Sequence, residues 1–476
     1  MTTIYIETLG CAKNRVDSEI MLGILNANSF AYTPDPEKAE VIILNTCAFL
    51  TSAVKESIDR ILALSEYKET AQCLSLIVVG CLSERYREEL LNEIPEIDGI
   101  LGTSDYTKIL SCVRSSLEET ERRSYLADSK PRYSMSNFEA VRLISTERSH
   151  AYLKISEGCS NMCSFCNIPF LRGAFSSRPI AHVVKDFKNM LETGIKEINI
   201  ISQDSSSYGS DLPKDNNLKN LIQSLLDADS SEFWLRVFYS YPNRYPTELF
   251  QLMSQDSRLT KYVDMPFQHI SDQVLKDMNR RISRNKIEKL LETALNIVPD
   301  IAFRTTFIVG FPTETDENFN ELLQFVEQGW FQHIGVFCYS HEDNIRSKKF
   351  GDPIPQEIKE ERRKLIMEAQ QTVSLKKNLA LIGTTMKVLV KGLSSETDLL
   401  LEGRSQFQGV DVDGVVYINE GDADAHKFTE VVITDAHPYD LIGSVLHPEN
   451  TRPLSASSLN ILEKNTPISS STISQS

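Results

Sequence analysis

Apolar and polar positions alternate along this chain in two regimes. In the first, short runs of Ile, Val and Leu are each followed by a stretch with helical spacing. The runs Ile4–Thr8, Val41–Asn45 and Leu76–Val79 read as strands, and Asp17–Ala27 and Val54–Tyr67 between them read as amphipathic helices. That βαβαβ order predicts a parallel sheet covered by helices over residues 1–117. A polar stretch carrying Ser, Arg and Pro131 reads as a linker over 118–145. The alternation then resumes, with strands expected at Tyr152–Ile155, Glu197–Ile201, Trp234–Tyr239, Tyr262–Met265, Ile301–Val309 and Ile334–Tyr339. Helices such as His182–Thr193 and Arg284–Ile297 fill the gaps. Six such units predict a partial (β/α) barrel over 146–376, with its chemistry at the C-terminal ends of the strands.

The second regime begins after Pro355–Ile382, which reads as one long charged helix halted before Gly383. Only strand-like runs follow: Met386–Lys391, Leu399–Gly403, Val415–Asn419, Phe428–Thr434 and Leu441–Val445. Five close strands predict a small OB-like β-barrel over 377–448. The Ser/Thr-rich segment 449–476 reads as a disordered tail. The fold class expected is therefore α/β with an appended small β-barrel.

Composition narrows the setting. Apolar residues make up 41% of the 476 positions, enough for several cores. No apolar run approaches the ~20 residues needed to cross a bilayer. The segment Met1–Cys11 reads as a strand and lacks the features of a signal peptide. A cytoplasmic location without membrane attachment is expected. In such a reducing compartment the nine cysteines are more suited to metal binding or chemistry than to disulfides. The formal net charge of −16 argues against general nucleic-acid binding and suits a basic partner.

The sharpest chemical signal is Glu157-Gly158-Cys159-Ser160-Asn161-Met162-Cys163-Ser164-Phe165-Cys166. Its three cysteines follow a predicted strand, so the loop lies at a barrel mouth and can wrap three thiolates around one centre. A 4Fe–4S cluster takes four ligands, and three thiolates leave one iron open, as catalytic metals require. A structural zinc site would need a fourth Cys or His nearby, and none follows. Cys159, Cys163 and Cys166 are therefore candidate ligands of an open cluster. Downstream, Gln203 and Asp204 end one strand, and Gly310 ends another, where a glycine lets a ligand approach the backbone.

A second set is spread out. Cys11, Cys47 and Cys81 stand 36 and 34 positions apart, about one βαβ unit per step, and each ends a predicted parallel strand. Strand ends of an open parallel sheet share one edge, so three thiols can converge there. The plainer alternative is three unrelated buried cysteines. Cys73, Cys112 and Cys338 fit neither pattern.

These motifs carry a resemblance. Thr8-Leu9-Gly10-Cys11-Ala12-Lys13-Asn14 through Asp17-Ser18-Glu19, with Asn45-Thr46-Cys47 and Gly80-Cys81, resemble the N-terminal domain of the methylthiotransferases. The Cys159–Cys166 loop, with the aromatic Phe165, Arg172-Gly173 and Ser177-Arg178-Pro179, resembles the radical S-adenosylmethionine (radical SAM) signature. The small terminal barrel is similar to a TRAM domain. Lys154–Cys159, Gln203-Asp204 with Ser207–Gly209, Met265–Ser271 and Asp440–Gly443 look most like the RimO branch. Ala12, where that branch usually has proline, and Ser340–Ser347 depart from its pattern.

The resemblance implies two 4Fe–4S clusters and SAM as cofactors. Cys159, Cys163 and Cys166 would hold the SAM-cleaving cluster, and Cys11, Cys47 and Cys81 a sulfur-donating one. Phe165, Gln203, Asp204 and Gly310 would contact SAM; Asp204, Arg304 and His269 would orient SAM or substrate, or serve only as barrel-mouth polar residues. The implied reaction adds a methylthio group to an aspartate β-carbon in small-subunit ribosomal protein twelve. It implies an electron donor such as flavodoxin or ferredoxin and leaves the sulfur donor open. The alternatives are a tRNA methylthiotransferase acting on isopentenyladenosine and a non-catalytic cluster carrier or redox sensor. Between Thr384 and His447 stand four basic and eleven acidic side chains, a balance of −7. That charge suits a basic protein partner better than tRNA.

Overall fold

The computed structural model describes residues 1–118, 123–126, 131, 133, 141–146 and 148–446. Much of the expected linker and the whole expected tail lie outside the described residues. The first unit is a six-stranded sheet of β1 (Thr3–Thr8), β2 (Ala31–Tyr32), β3 (Val41–Thr46), β4 (Ser75–Gly80), β5 (Gly99–Leu101) and β6 (Arg123–Ser124), in the order β2-β1-β3-β4-β5-β6. Every neighbouring pair is parallel. β3 and β4 are buried along their whole length, because helices cover both faces.

The next unit holds β7 (His150–Lys154), a ribbon of β8 (Ser156–Glu157) and β9 (Ser176–Ser177), then β10 (Glu197–Ile201), β11 (Trp234–Val237), β12 (Tyr262–Asp264), β13 (Ala302–Val309) and β14 (His333–Cys338). β7, β10 and β11 form one parallel trio and β12, β13 and β14 another. A bridge between Leu235 and Leu259 joins the two into an open barrel. Helix Gln356–Leu379 packs on its last strand. Ile366 is fully buried in the barrel core, and Gln370 donates to the carbonyls of Phe331 and Gln332.

The last unit is a closed barrel of β15 (Thr385–Leu393), β16 (Leu401–Ser405), β17 (Val416–Glu420), β18 (Phe428–Ala436) and β19 (Leu441–Val445), in the order β15-β16-β17-β19-β18. Its β16–β17 loop enters the large barrel from the N-terminal ends of the strands. Val410, 2% exposed, joins Tyr152, Phe238 and Tyr262 in one apolar cluster. Asp411 accepts from the Tyr152 hydroxyl at 2.7 Å, and Asp413 accepts from Tyr262 at 2.6 Å and pairs with Arg304 at 3.2 Å. Glu197 binds Arg236 at 2.9 Å and Arg404 at 2.8 Å, so a buried carboxylate bridges the two barrels. Its burial is outweighed by the two guanidiniums, which hold it down at about 2. Burial and Arg404 hold His150 down at about 4, so it stands neutral beside this network.

Two acids in the −7 balance are thus spent inside the molecule, since Asp411 and Asp413 fasten the small barrel to the large one. The charge available to a partner is smaller than the sequence suggests. Arg304 is corrected too: it lies in this floor, paired with Asp264 and Asp413, and not at the catalytic mouth.

No helix among the described residues is long and apolar enough to cross a membrane.

Candidate active site and cluster cavity

The six cysteines of the two sets meet. Cys11, Cys47, Cys81, Cys159, Cys163 and Cys166 line one cavity of about 330 Å³ at the junction of the first sheet and the large barrel. Each position follows from local structure. Cys11 is the N-cap of helix Ala12–Ala27, three positions after the end of β1. Cys47 follows β3, and Ser57 holds its backbone, accepting from its N–H at 3.2 Å and donating to its carbonyl at 2.8 Å. Cys81 opens helix Cys81–Tyr86 at the end of β4. Gly10, at φ +84°, lies so close to Cys47 that a Cβ there would stand 2.8 Å from the Cys47 Cβ and 3.1 Å from its Sγ.

The other three thiols belong to the loop after β7 and β8. The Cys166 N–H bonds to the Cys163 carbonyl at 3.2 Å, the Ile168 N–H points at the Cys166 sulfur at 3.4 Å, and Arg280 Nη1 reaches the Cys163 sulfur at 3.6 Å. Asn279 Nδ2 holds the Met162 carbonyl at 2.8 Å, supporting a residue at φ +58°. Among the described residues, no three Cys, His, Asp or Glu side chains are gathered tightly enough for a single metal ion.

Between the trios lies a buried charge network. Asp17 from the first unit and Glu157 from the barrel share two cations: Lys154 contacts both, and Arg172 Nη1 lies 3.0 Å from Asp17 and 3.2 Å from Glu157. Arg172 also bonds to Asn14 and Cys81. Burial pushes the Glu157 carboxyl up, but Lys154 and Arg172 outweigh it and hold it below its ordinary value. The same physics divides the thiols. Burial raises Cys11, yet Lys13 and Arg172 bring it below the ordinary thiol value. Burial dominates at Cys81 and Cys166, which are raised, and at Cys159, pushed up to about 11. Metal ligation requires thiolates, so a bound cation must supply the remaining stabilisation.

Unpaired polar atoms also collect here. Gln203 Oε1, Ser240 Oγ, Gln268 Oε1 and Arg280 Nε are buried without a hydrogen-bond partner, and all four residues line the cavity. Buried polar groups are normally paired, so this concentration marks a place for a polar ligand. Thiols for two clusters and polar atoms for an amino-acid-like moiety fit the groups the sequence implies.

Other expected residues fall in different places. Phe165 and Gln203 line the cavity. Asp204 does not; it accepts from Asn161 Nδ2 at 2.6 Å and so braces the cysteine loop from behind, while capping the turn Ser205–Ser207. Gly310 is covered by the Lys359 side chain, and its N–H donates to Glu314. His269 is fully buried, 3.3 Å from Glu314. Cys73, Cys112 and Cys338 are not among the lining residues. Lys13, Asn161, Tyr239, Ser240, Tyr241 and Arg280 line the cavity without having been singled out as site residues. The divergent stretch Ser340–Ser347 fastens the first unit, because Glu342 accepts from Thr51 at 2.8 Å and pairs with Arg85 at 2.9 Å.

Comparison with known proteins agrees with this geometry. Residues 3–102 match the model described as "Uncharacterized protein family UPF0004", 153–326 the radical SAM superfamily, and 382–446 the TRAM domain. The chain is 44% identical over 443 residues to ribosomal protein uS12 methylthiotransferase RimO of Citrifermentans bemidjiense, covering 93% of this chain and 98% of that one. The RimO of Geobacter sulfurreducens is likewise 44% identical over 93% of this chain and 98% of its own. That of Myxococcus xanthus is 41% identical over 93% and 92%. Among solved structures, the radical S-adenosylmethionine methyltransferase TsrM from Kitasatospora setae superposes with a TM-score of 0.52 at 13% identity, over 71% of this chain and 75% of that one, a likeness of fold.

Proposed function

Because the chain belongs to the RimO family of radical SAM methylthiotransferases, we propose that its six cavity cysteines hold two clusters that act together on an aspartate of ribosomal protein uS12. The reaction transfers a methylthio group to the β-carbon of that residue. The observation that carries this reading is the meeting of both cysteine trios on one cavity. Cys159, Cys163 and Cys166 would hold one 4Fe–4S cluster and Cys11, Cys47 and Cys81 the other; bound there, they supply the electron that cleaves SAM to a hydrogen-abstracting radical and the sulfur that is transferred.

The protein's own work is placement. Three thiolates per set would leave each centre one ligand position open, and both trios line one space. Lys154, Asp17, Glu157 and Arg172 lock the two units together through buried ion pairs, so the separation of the trios is fixed. Phe165, Ile168, Leu171 and Phe49 supply apolar wall that excludes water from a radical step. Gln203 and Arg280 offer the unpaired atoms that SAM's amino-acid end needs, with Asn161 steadied by Asp204. The setting is cytoplasmic, the electron donor is of the flavodoxin or ferredoxin class, and the partner is a basic ribosomal protein.

The test is anaerobic turnover of reconstituted enzyme with SAM, reductant and either a uS12 peptide or tRNA. 5′-Deoxyadenosine and methylthio-aspartate are expected with the peptide. Absence of 5′-deoxyadenosine would defeat any radical reading, and product with tRNA alone would defeat the ribosomal-protein substrate.

A further inference from the structure

Two buried cations in the cavity have no carboxylate partner, and the groups that answer them are the thiols of Cys11 and Cys163. Among the described residues, the buried lysines and arginines are Lys13, Lys154, Lys359, Arg172, Arg178, Arg236, Arg280, Arg362 and Arg404. Seven of these pair with a carboxylate: Lys154, Arg172, Arg178, Arg236, Lys359, Arg362 and Arg404. The two that do not, Lys13 and Arg280, both line the cysteine cavity. In a chain of net charge −16, two buried cations without a carboxylate in one cavity are a selective arrangement.

They are arranged alike and belong to opposite trios. Arg280 reaches toward Cys163, and its guanidinium lies 4.1 Å from the Tyr241 ring centroid. Lys13 sits two positions after Cys11, is 8% exposed, and its ammonium lies 3.3 Å from the Tyr239 ring centroid. Tyr239, itself at φ +60°, and Tyr241 flank Ser240, whose hydroxyl is buried without a partner. An aromatic face compensates only part of the cost of burying an ammonium, so an anion is expected beside it. Arg280 faces the trio that takes SAM, which brings one carboxylate. Lys13 is left for a second anion.

Resting on the reading of an aspartate substrate, we propose that Lys13, with the unpaired Ser240 hydroxyl of the same cavity, binds the side-chain carboxylate of the target aspartate and is the residue that selects a carboxylate-bearing substrate. Holding that carboxylate places the adjacent β-carbon between the trios, where hydrogen is removed and sulfur added. A neutral nucleobase would offer the ammonium hydrogen-bond acceptors but no negative charge. Lys13 touches the substrate in this scheme but moves no electron and no proton; it is a specificity residue.

The test uses the full-length, anaerobically reconstituted protein and equilibrium binding by fluorescence anisotropy. The probes are a labelled uS12 peptide containing the target aspartate and the same peptide with asparagine there. Wild-type protein should prefer the aspartate peptide by about ten- to a hundredfold, the range of a charge-assisted hydrogen bond. In Lys13→Met that preference should fall to about one. Lys13→Arg should keep most of it, and Lys13→Gln gives the same reading as methionine should that variant not fold. Iron and sulfide content and the visible spectrum are measured on each variant. Unchanged preference in both neutral variants overturns the proposal. So does loss of iron from them, which would assign the lysine to the Cys11 trio. Failure of wild-type protein to bind either peptide sinks the uS12 reading itself, and is seen without any variant.

Discussion

The two cysteine trios are the same in number and opposite in construction. Cys159, Cys163 and Cys166 sit in one loop, where backbone hydrogen bonds among neighbours set their spacing. Cys11, Cys47 and Cys81 come from the ends of three strands, and only the parallel register of β1, β3 and β4 brings them together. The first trio is encoded in one loop, which Asp204, Asp277 and Asn279 brace from the surrounding barrel. The second depends on a whole sheet, and on small residues that let thiols approach. The difference teaches where damage should spread: injury to the sheet should cost one centre, while injury to the loop should stop the reaction at its first step.

The strongest way to break this comparison is Cys163→Ala. SAM cleavage should drop to the level without enzyme, read as 5′-deoxyadenosine; wild-type cleavage would remove Cys163 from the ligands. Cys47→Ala should lose about half the iron and all methylthio product yet keep some SAM cleavage. Normal product from that protein would remove the second centre from the mechanism. Gly10→Ala is gentler. Its φ of +84° and the 2.8 Å approach to Cys47 should together cost about 2 kcal/mol of stability. Iron should be lost from the sheet trio first, with SAM cleavage preserved; equal loss from both would show the trios are not independent. The mildest is Ser57→Ala, which removes the two hydrogen bonds between the Ser57 hydroxyl and the Cys47 backbone and should cost about 1 kcal/mol, seen as a small fall in melting temperature. No change at all would mean that the cysteine is held by the strand alone.

Much of this was legible before any coordinates. Each of the six parallel strands of the large barrel appears within a few residues of its expected place, because each is a short, largely apolar run bounded by helical stretches. β2, β5, β6, β8 and β9 escaped, each being only two or three residues long. The six cysteines were readable from spacing and strand ends. The unpaired atoms of Ser240, Gln268 and Arg280 were not, since a missing partner is a property of three-dimensional surroundings. Arg304 misled for a related reason: an ionic residue on a barrel strand looks the same from sequence whether it faces the mouth or the floor. The acidic balance of the last unit misled in part, because counting charges cannot tell which ones are consumed internally by Tyr152, Tyr262 and Arg304.

The loop carrying Val410, Asp411 and Asp413 has a consequence for reach. A small barrel on a loose tether could search for its partner and deliver it at many distances. This one is bolted through Glu197, Arg236 and Arg404, with an apolar tip driven into the lumen of its neighbour. Any macromolecule that grips the small barrel while offering a side chain to the thiols must therefore bridge a set length. The small barrel and the thiol cavity are thus held like the jaws of a caliper set to one width.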